Sequence, residues 1–174
     1  MEGGQRIPPV ASGSRPSHLD THYLLVLLLG EDWDKDVFRT VHSLVTPPHP
    51  GSIEVSLVAV GEAFAKIATG QLQPSRSDRP PLARWARLVQ EGSVTTCWAD
   101  HHARQADFFD LAKQVKIRAP GVGPADCLIV ASALACRACQ VLYTTDRRLL
   151  TNSGLRRFCD SKKHGFRLIE AGSA

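Results

Sequence analysis

The feature that most restricts the fold of this chain is an alternation of short β-like runs with longer helical stretches. "SHLD" (17–20), "SIEVS" (52–56), "SVTTCWA" (93–99), "VLYTTD" (141–146) and "FRLIE" (166–170) are the strand candidates. Helical stretches lie between and around them at 21–29, 34–45, 57–70, 81–91, 100–116, 124–138 and 147–163. Gly30 ends the first helix and "TPPHPG" stops the second, while Pro124 opens a later one at a position where a missing N–H does no harm. Strand and helix in turn predict an α/β protein, a three-layer α/β/α sandwich with a mainly parallel central sheet. In such sheets ligands bind outside the carboxyl ends of strands, at the point where the strand order reverses. Asp20 and Asp146 each end a strand candidate and so fall in that zone.

The chain is 174 residues long, enough for one domain with a real core. Residues 1–17 are rich in Gly, Pro and Ser and read as a flexible tail, leaving 18–174 as a single domain; 71–79 reads as a polar loop, and no internal repeat is visible. The longest apolar run, "YLLVLLL" at 23–29, is far short of the roughly 20 residues that span a bilayer. The acidic "GEDWDKD" that follows is unlike a signal-peptide cleavage region, so a cytoplasmic protein with no membrane partner is expected. A formal charge of +4 tilts the surface mildly toward polyanions such as RNA or DNA. Five cysteines are scattered at 97, 127, 136, 139 and 159; the Cys136-x-x-Cys139 pair has no second pair to complete a zinc site. They read as buried thiols, with a structural disulfide left open.

Four acids ask for explanation. Glu62 lies in "SLVAVGEAFAKIA", apolar on nearly every side, where a carboxylate is costly unless paired or bound to a cation. The bland alternative is an i,i+4 pair with Lys66, worth about 0.2–0.5 kcal/mol at a surface. Asp126, in "GVGPADCLIVASALA", suits the first turn of its helix, and Asp20 and Asp146 each precede a helix as N-caps do. Taken together the four say more. If the first and fourth strands are parallel neighbours, Asp20, Asp126 and Asp146 converge at one edge and Glu62 reaches in from a flanking helix. Clustered carboxylates raise each other's pKa unless a cation sits between them, and an all-oxygen set suits Mg²⁺ or Mn²⁺.

These segments resemble the PIN domain family of metal-dependent nucleases. "LDTHYLLVLLL" carries Asp20 and Thr21, "VSLVAVGEAFAKI" carries Glu62, "PADCLIVASALA" carries Asp126, and "LYTTDRRL" carries Thr145 and Asp146, in the family's order and at its spacing. The resemblance covers the chain from about His18 to Glu170. One departure is His22, where the family often has Asn, Ser or another small residue. The resemblance implies that Asp20, Glu62, Asp126 and Asp146 hold one or two Mg²⁺ or Mn²⁺ ions, with Thr21 and Thr145 in support. It implies an endoribonuclease acting through a metal-activated water. Small stand-alone members are mostly VapC-type toxins, which adds an antitoxin and a homodimer to the expected partners. His22, Arg147 and Arg148 are candidate RNA contacts, and "RWAR" and "RRFCDSKKHG" add basic charge that could track a backbone. The rival readings are RNA maturation or DNA cleavage by the same fold, a PIN-like module that binds RNA or protein without cutting, and an unrelated doubly wound protein with a small ligand. The last finds no Gly-rich phosphate loop in its support.

Overall fold

The computed structural model describes residues 16–46, 53–72, 80–97, 105–136 and 139–171. Its centre is a sheet of five parallel strands, β1 (Ser17–Leu19), β2 (Ile53–Ser56), β3 (Thr95–Cys97), β4 (Val141–Tyr143) and β5 (Arg167–Ile169), in the order β3-β2-β1-β4-β5. Among the described residues eight helices flank it: α1 (Thr21–Leu29), α2 (Lys35–Val45), α3 (Leu57–Ala68), α4 (Pro81–Gln90), α5 (Gln105–Arg118), α6 (Pro124–Ala135), α7 (Arg147–Leu150) and α8 (Ser153–Lys162). The architecture is α/β, consistent with a three-layer sandwich. β1 begins at Ser17, one residue before the expected domain start; the rest of the expected tail, through 15, lies outside the described residues. So do most of the polar loop at 71–79 and the first residues of the helix expected at 100–116. The helix expected to reach 138 ends at Ala135, where the extended backbone of Cys136 caps it, with 137 and 138 outside the described residues.

The run "YLLVLLL" is the core. All of α1 except His22 is buried, as an all-round apolar helix requires, and it packs against α2, α3 and α4. Its chain leaves through Gly30, whose φ of +99° favours glycine and whose missing Cβ makes room for the Arg84 guanidinium. On another side α6, buried over most of its length, packs against α5. The stretch expected as one helix from 147 to 163 is two. α7 ends at Leu150, and Asn152 opens α8 by accepting a hydrogen bond from the Leu155 N–H at 2.8 Å.

The chain runs from β1 outward to β2 and β3, then returns to place β4 on the other side of β1 and β5 beyond it. The order therefore reverses between β1 and β4, where an open α/β sheet forms its crevice. The register sets Leu19 beside Tyr143, and the Asp20 N–H continues the ladder by donating to the Tyr143 carbonyl at 3.0 Å. Regular pairing of β4 ends at Tyr143, three residues before Asp146 rather than at it. The buried Thr144 turns the chain there: its N–H donates to the Ile169 carbonyl, and its hydroxyl accepts from the Asp146 N–H at 3.1 Å.

Candidate active site

Asp20, Thr21, His22, Glu62, Asp126, Thr145, Asp146, Arg147 and Arg148 line one cleft of about 490 Å³, together with Lys66. Every residue singled out from the sequence is therefore brought to one place. Their surroundings differ, and the differences fix what each can do.

Asp20 follows β1 and is 8% exposed. One carboxylate oxygen caps α1 by accepting from the His22 N–H at 2.9 Å. Burial pushes its carboxyl above the ordinary aspartate value, against the hydrogen bonds from Thr144 and from the backbone at His22 and Tyr23. Thr21 opens α1, and its hydroxyl donates to Glu62 Oε2 at 2.6 Å, tying the first strand's end to α3. Glu62 is only partly buried and also pairs with Lys66, whose Nζ is 2.8 Å from Oε1. The i,i+4 pair and the cleft position thus both hold. Burial raises the Glu62 carboxyl, but the Lys66 and Thr21 bonds outweigh it and leave it below the usual range.

Asp126 occupies the first turn of α6, behind Gly123 and Pro124. A Cβ on Gly123 would lie 3.0 Å from Asp126 Oδ2, so the glycine leaves the space in which this carboxylate folds back over its helix start. Burial first, then the charges of Glu62, Asp146 and Asp20, push the Asp126 carboxyl up; Arg148 pulls the other way from 3.9 Å. The four acids therefore share a field and bear on Asp126 most of all.

Asp146 caps α7 through the Arg148 N–H at 2.8 Å. The Arg148 side chain also clamps it, Nε lying 3.0 and 3.1 Å from its two oxygens and Nη2 2.6 Å from Oδ2. Arg148 Nη1 reaches the Gly121 carbonyl at 2.8 Å. These bonds hold the Asp146 carboxyl below its ordinary value. Arg148 is thus an internal clamp as well as a cleft residue, while Arg147 is mostly exposed and lies 3.6 Å from Glu170. The His22 ring meets Trp33 at a tilt and Tyr23 edge-on, with centroids 5.4 and 5.9 Å away.

Two residues of the cleft carry more weight than the sequence reading gave them. Thr144, not Thr145, joins the Asp20 carboxylate to the Asp146 backbone; Thr145 lines the cleft beside it. The signal was the period of two: Leu142 and Thr144 are both buried, whereas Tyr143 and Thr145 are only partly so. Lys66 is the other, a cation inside the acid cluster.

The donor set is all oxygen and its members repel, which fits a hard divalent cation. Among the described residues, however, no three of these acids bring ligand oxygens within 4.8 Å of one another. Lys66 and Arg148 supply positive charge to Glu62 and Asp146 in this arrangement. No helix of the described residues is long and apolar enough to cross a membrane. No family model and no curated protein sequence matches the chain.

Proposed function

We propose that the protein is a PIN-like, Mg²⁺- or Mn²⁺-dependent endoribonuclease, with Asp20, Glu62, Asp126 and Asp146 as the residues that hold the ion or ions. The observation that carries the reading is the gathering of Asp20, Glu62, Asp126 and Asp146 in one cleft at the switch point of a parallel sheet, where burial first and then the other three acids push the Asp126 carboxyl up. A bound divalent ion would supply Lewis-acid polarisation of a phosphodiester and an activated water. The chain's own groups do the rest. Asp20 and Asp146 are fixed by helix caps and by Thr144, so their oxygens stand at defined places at the rim of the sheet. Thr21 orients Glu62. Lys66, Arg147 and Arg148 place positive charge where an RNA phosphate would approach the acids. A toxin's role, an antitoxin and a homodimer belong to the same proposal and rest on the resemblance alone.

The test is cleavage of a labelled, partly single-stranded RNA with Mn²⁺ or Mg²⁺, with chelator, and with the Asp126→Asn protein prepared identically. Cutting that needs the ion and is lost in the variant supports the proposal. Folded protein that neither cuts nor takes up Mn²⁺ refutes it.

A further inference from the structure

A second group of ligating side chains lies on the sheet, apart from the acid cleft. β1 and β2 are central strands with buried apolar neighbours at Leu19, Ile53, Val55 and Leu142, the pattern of strands covered on both faces. His18 and Glu54 break that pattern side by side, in direct register across β1 and β2. His18 is fully buried, with Nδ1 3.7 Å from Glu54 Oε2. Glu54 pairs with Thr95, so Cys97, two residues on, faces the same side of the sheet. Cys136, where α6 ends, comes down on that face: its Sγ lies 2.7 Å from Glu54 Oε2 and meets the Cys97 thiol. One ligand atom from each of His18, Glu54 and Cys136 lies within 4.8 Å of the others, a combination found nowhere else among the described residues.

We infer that His18, Glu54, Cys97 and Cys136 form a buried four-donor site for a thiolate-preferring divalent ion of the Zn²⁺ class, separate from the acid cleft. Each donor is of a type that binds zinc, and two sulfurs, an imidazole and a carboxylate fill four positions, with none left open for a substrate. Around a tetrahedral zinc a sulfur and an oxygen ligand stand about 3.5 Å apart. The Cys136 sulfur, 2.7 Å from Glu54 Oε2, reaches that spacing by backing off less than an ångström, and the His18 nitrogen stands 3.7 Å from the same oxygen, while Cys97, outside the 4.8 Å group, must swing in from its contact with Cys136. On binding, the Cys97 and Cys136 thiols lose their protons to solvent and the sulfurs bond the ion; nothing is oxidised or reduced. The Cys139 N–H, hydrogen-bonded to the Cys136 sulfur, supports a thiolate there as outer-shell donors do. An ion at this place would pin β1, β2, β3 and the end of α6 together, two residues upstream of Asp20.

The experiment is metal analysis of untagged protein, purified without chelator, exchanged with Zn²⁺ and dialysed, in parallel with Cys136→Ser, Glu54→Gln, Cys159→Ser and Asp126→Asn proteins. About one zinc per chain is expected in the wild type, in Cys159→Ser, whose buried thiol lies in α8, and in Asp126→Asn, whose change is in the acid cleft. Loss of most of it is expected in Cys136→Ser and Glu54→Gln. Wild-type protein loaded with Co²⁺ instead should show the intense near-ultraviolet thiolate-to-metal charge-transfer band, a readout that needs no variant to fold. Folded wild type that holds no zinc, Co²⁺ protein without that band, or full zinc in Cys136→Ser would overturn the inference. Because Asp126→Asn keeps its zinc, failure here and failure of the nuclease proposal are distinguishable.

Discussion

Replacing Asp126 with asparagine should stabilise the metal-free protein. An acid in the first turn of a helix ordinarily helps, by about 0.3–1 kcal/mol. Here burial and three acids act against it, and one arginine acts for it from 3.9 Å. Arg148 is 59% exposed, so solvent weakens its attraction, and it stands alone against burial and three acids. The surplus is repulsive, and relieving it is expected to add about 1 kcal/mol, which raises Tm by about 2–4 °C in a domain of this size. The sign follows from linkage. With its folded pKa raised, the Asp126 carboxyl is harder to ionise in the folded protein than in the unfolded chain. The penalty is absent below the unfolded value near 3.9, where the group is protonated in both states. It grows as pH rises toward the raised folded value and is complete above it. The asparagine variant should therefore melt higher than wild type at neutral pH in metal-free buffer, and the gap should close in acid. Excess Mn²⁺ should lift wild type, by about 2.7 kcal/mol at a hundredfold over Kd, and leave the variant nearly unmoved. A variant that melts lower than wild type at neutral pH without metal would make Asp126 an ordinary helix-start acid and refute the reasoning.

Lys66→Met should cost only about 0.2–0.5 kcal/mol, since the Lys66 ammonium is over a third exposed. It should nevertheless move the Glu62 titration upward in an NMR pH series, because burial then outweighs the Thr21 bond. Arg148→Ala should lower stability slightly at neutral pH by urea melts, the exposed guanidinium being screened by solvent. Asp146 has a depressed folded pKa, so its stabilisation is present above the ordinary aspartate range and lost as pH falls through the folded value. The difference between wild type and this variant should therefore shrink in acid, and a pH-independent difference would exclude the clamp as its source. Asn152→Ala removes the α8 cap and the bond from its side-chain amide to the Arg118 carbonyl, and should lower stability by about 1 kcal/mol, read as a Tm drop of about 2–4 °C.

The layer architecture was legible because α1 and α6 are apolar all round while the strands between helices are short, a pattern only a covered parallel sheet accommodates. The break between α7 and α8 was not. Thr151 and Asn152 interrupt no hydrophobic periodicity strongly, and it is the Asn152 side chain, accepting from Leu155, that starts the helix again. The extent of β4 was overread for a related reason. "VLYTTD" has strand composition throughout, but the Thr144 hydroxyl competes for the backbone at Asp146 and ends the ladder early.

The cleft was legible as a list of acids and not as a charge arrangement. Asp20, Glu62, Asp126 and Asp146 announce themselves by standing at strand ends or in apolar helices, and the β1–β4 pairing brings them to one place. Which of them carries unrelieved charge depends on side chains whose reach cannot be read from spacing. Lys66 takes Glu62 across one helical turn, and Arg148 folds back over Asp146, two residues before it. Asp20 is held by a threonine and backbone amides, so Asp126 is left with the least compensation. A cation entering the cleft must therefore compete with Lys66 for Glu62 and with Arg148 for Asp146, while at Asp126 it meets repulsion waiting to be relieved. The same logic governs Cys136. Its partner in the motif, Cys139, offered no zinc site in sequence, and the side chains that complete one come from three strands that only the fold aligns.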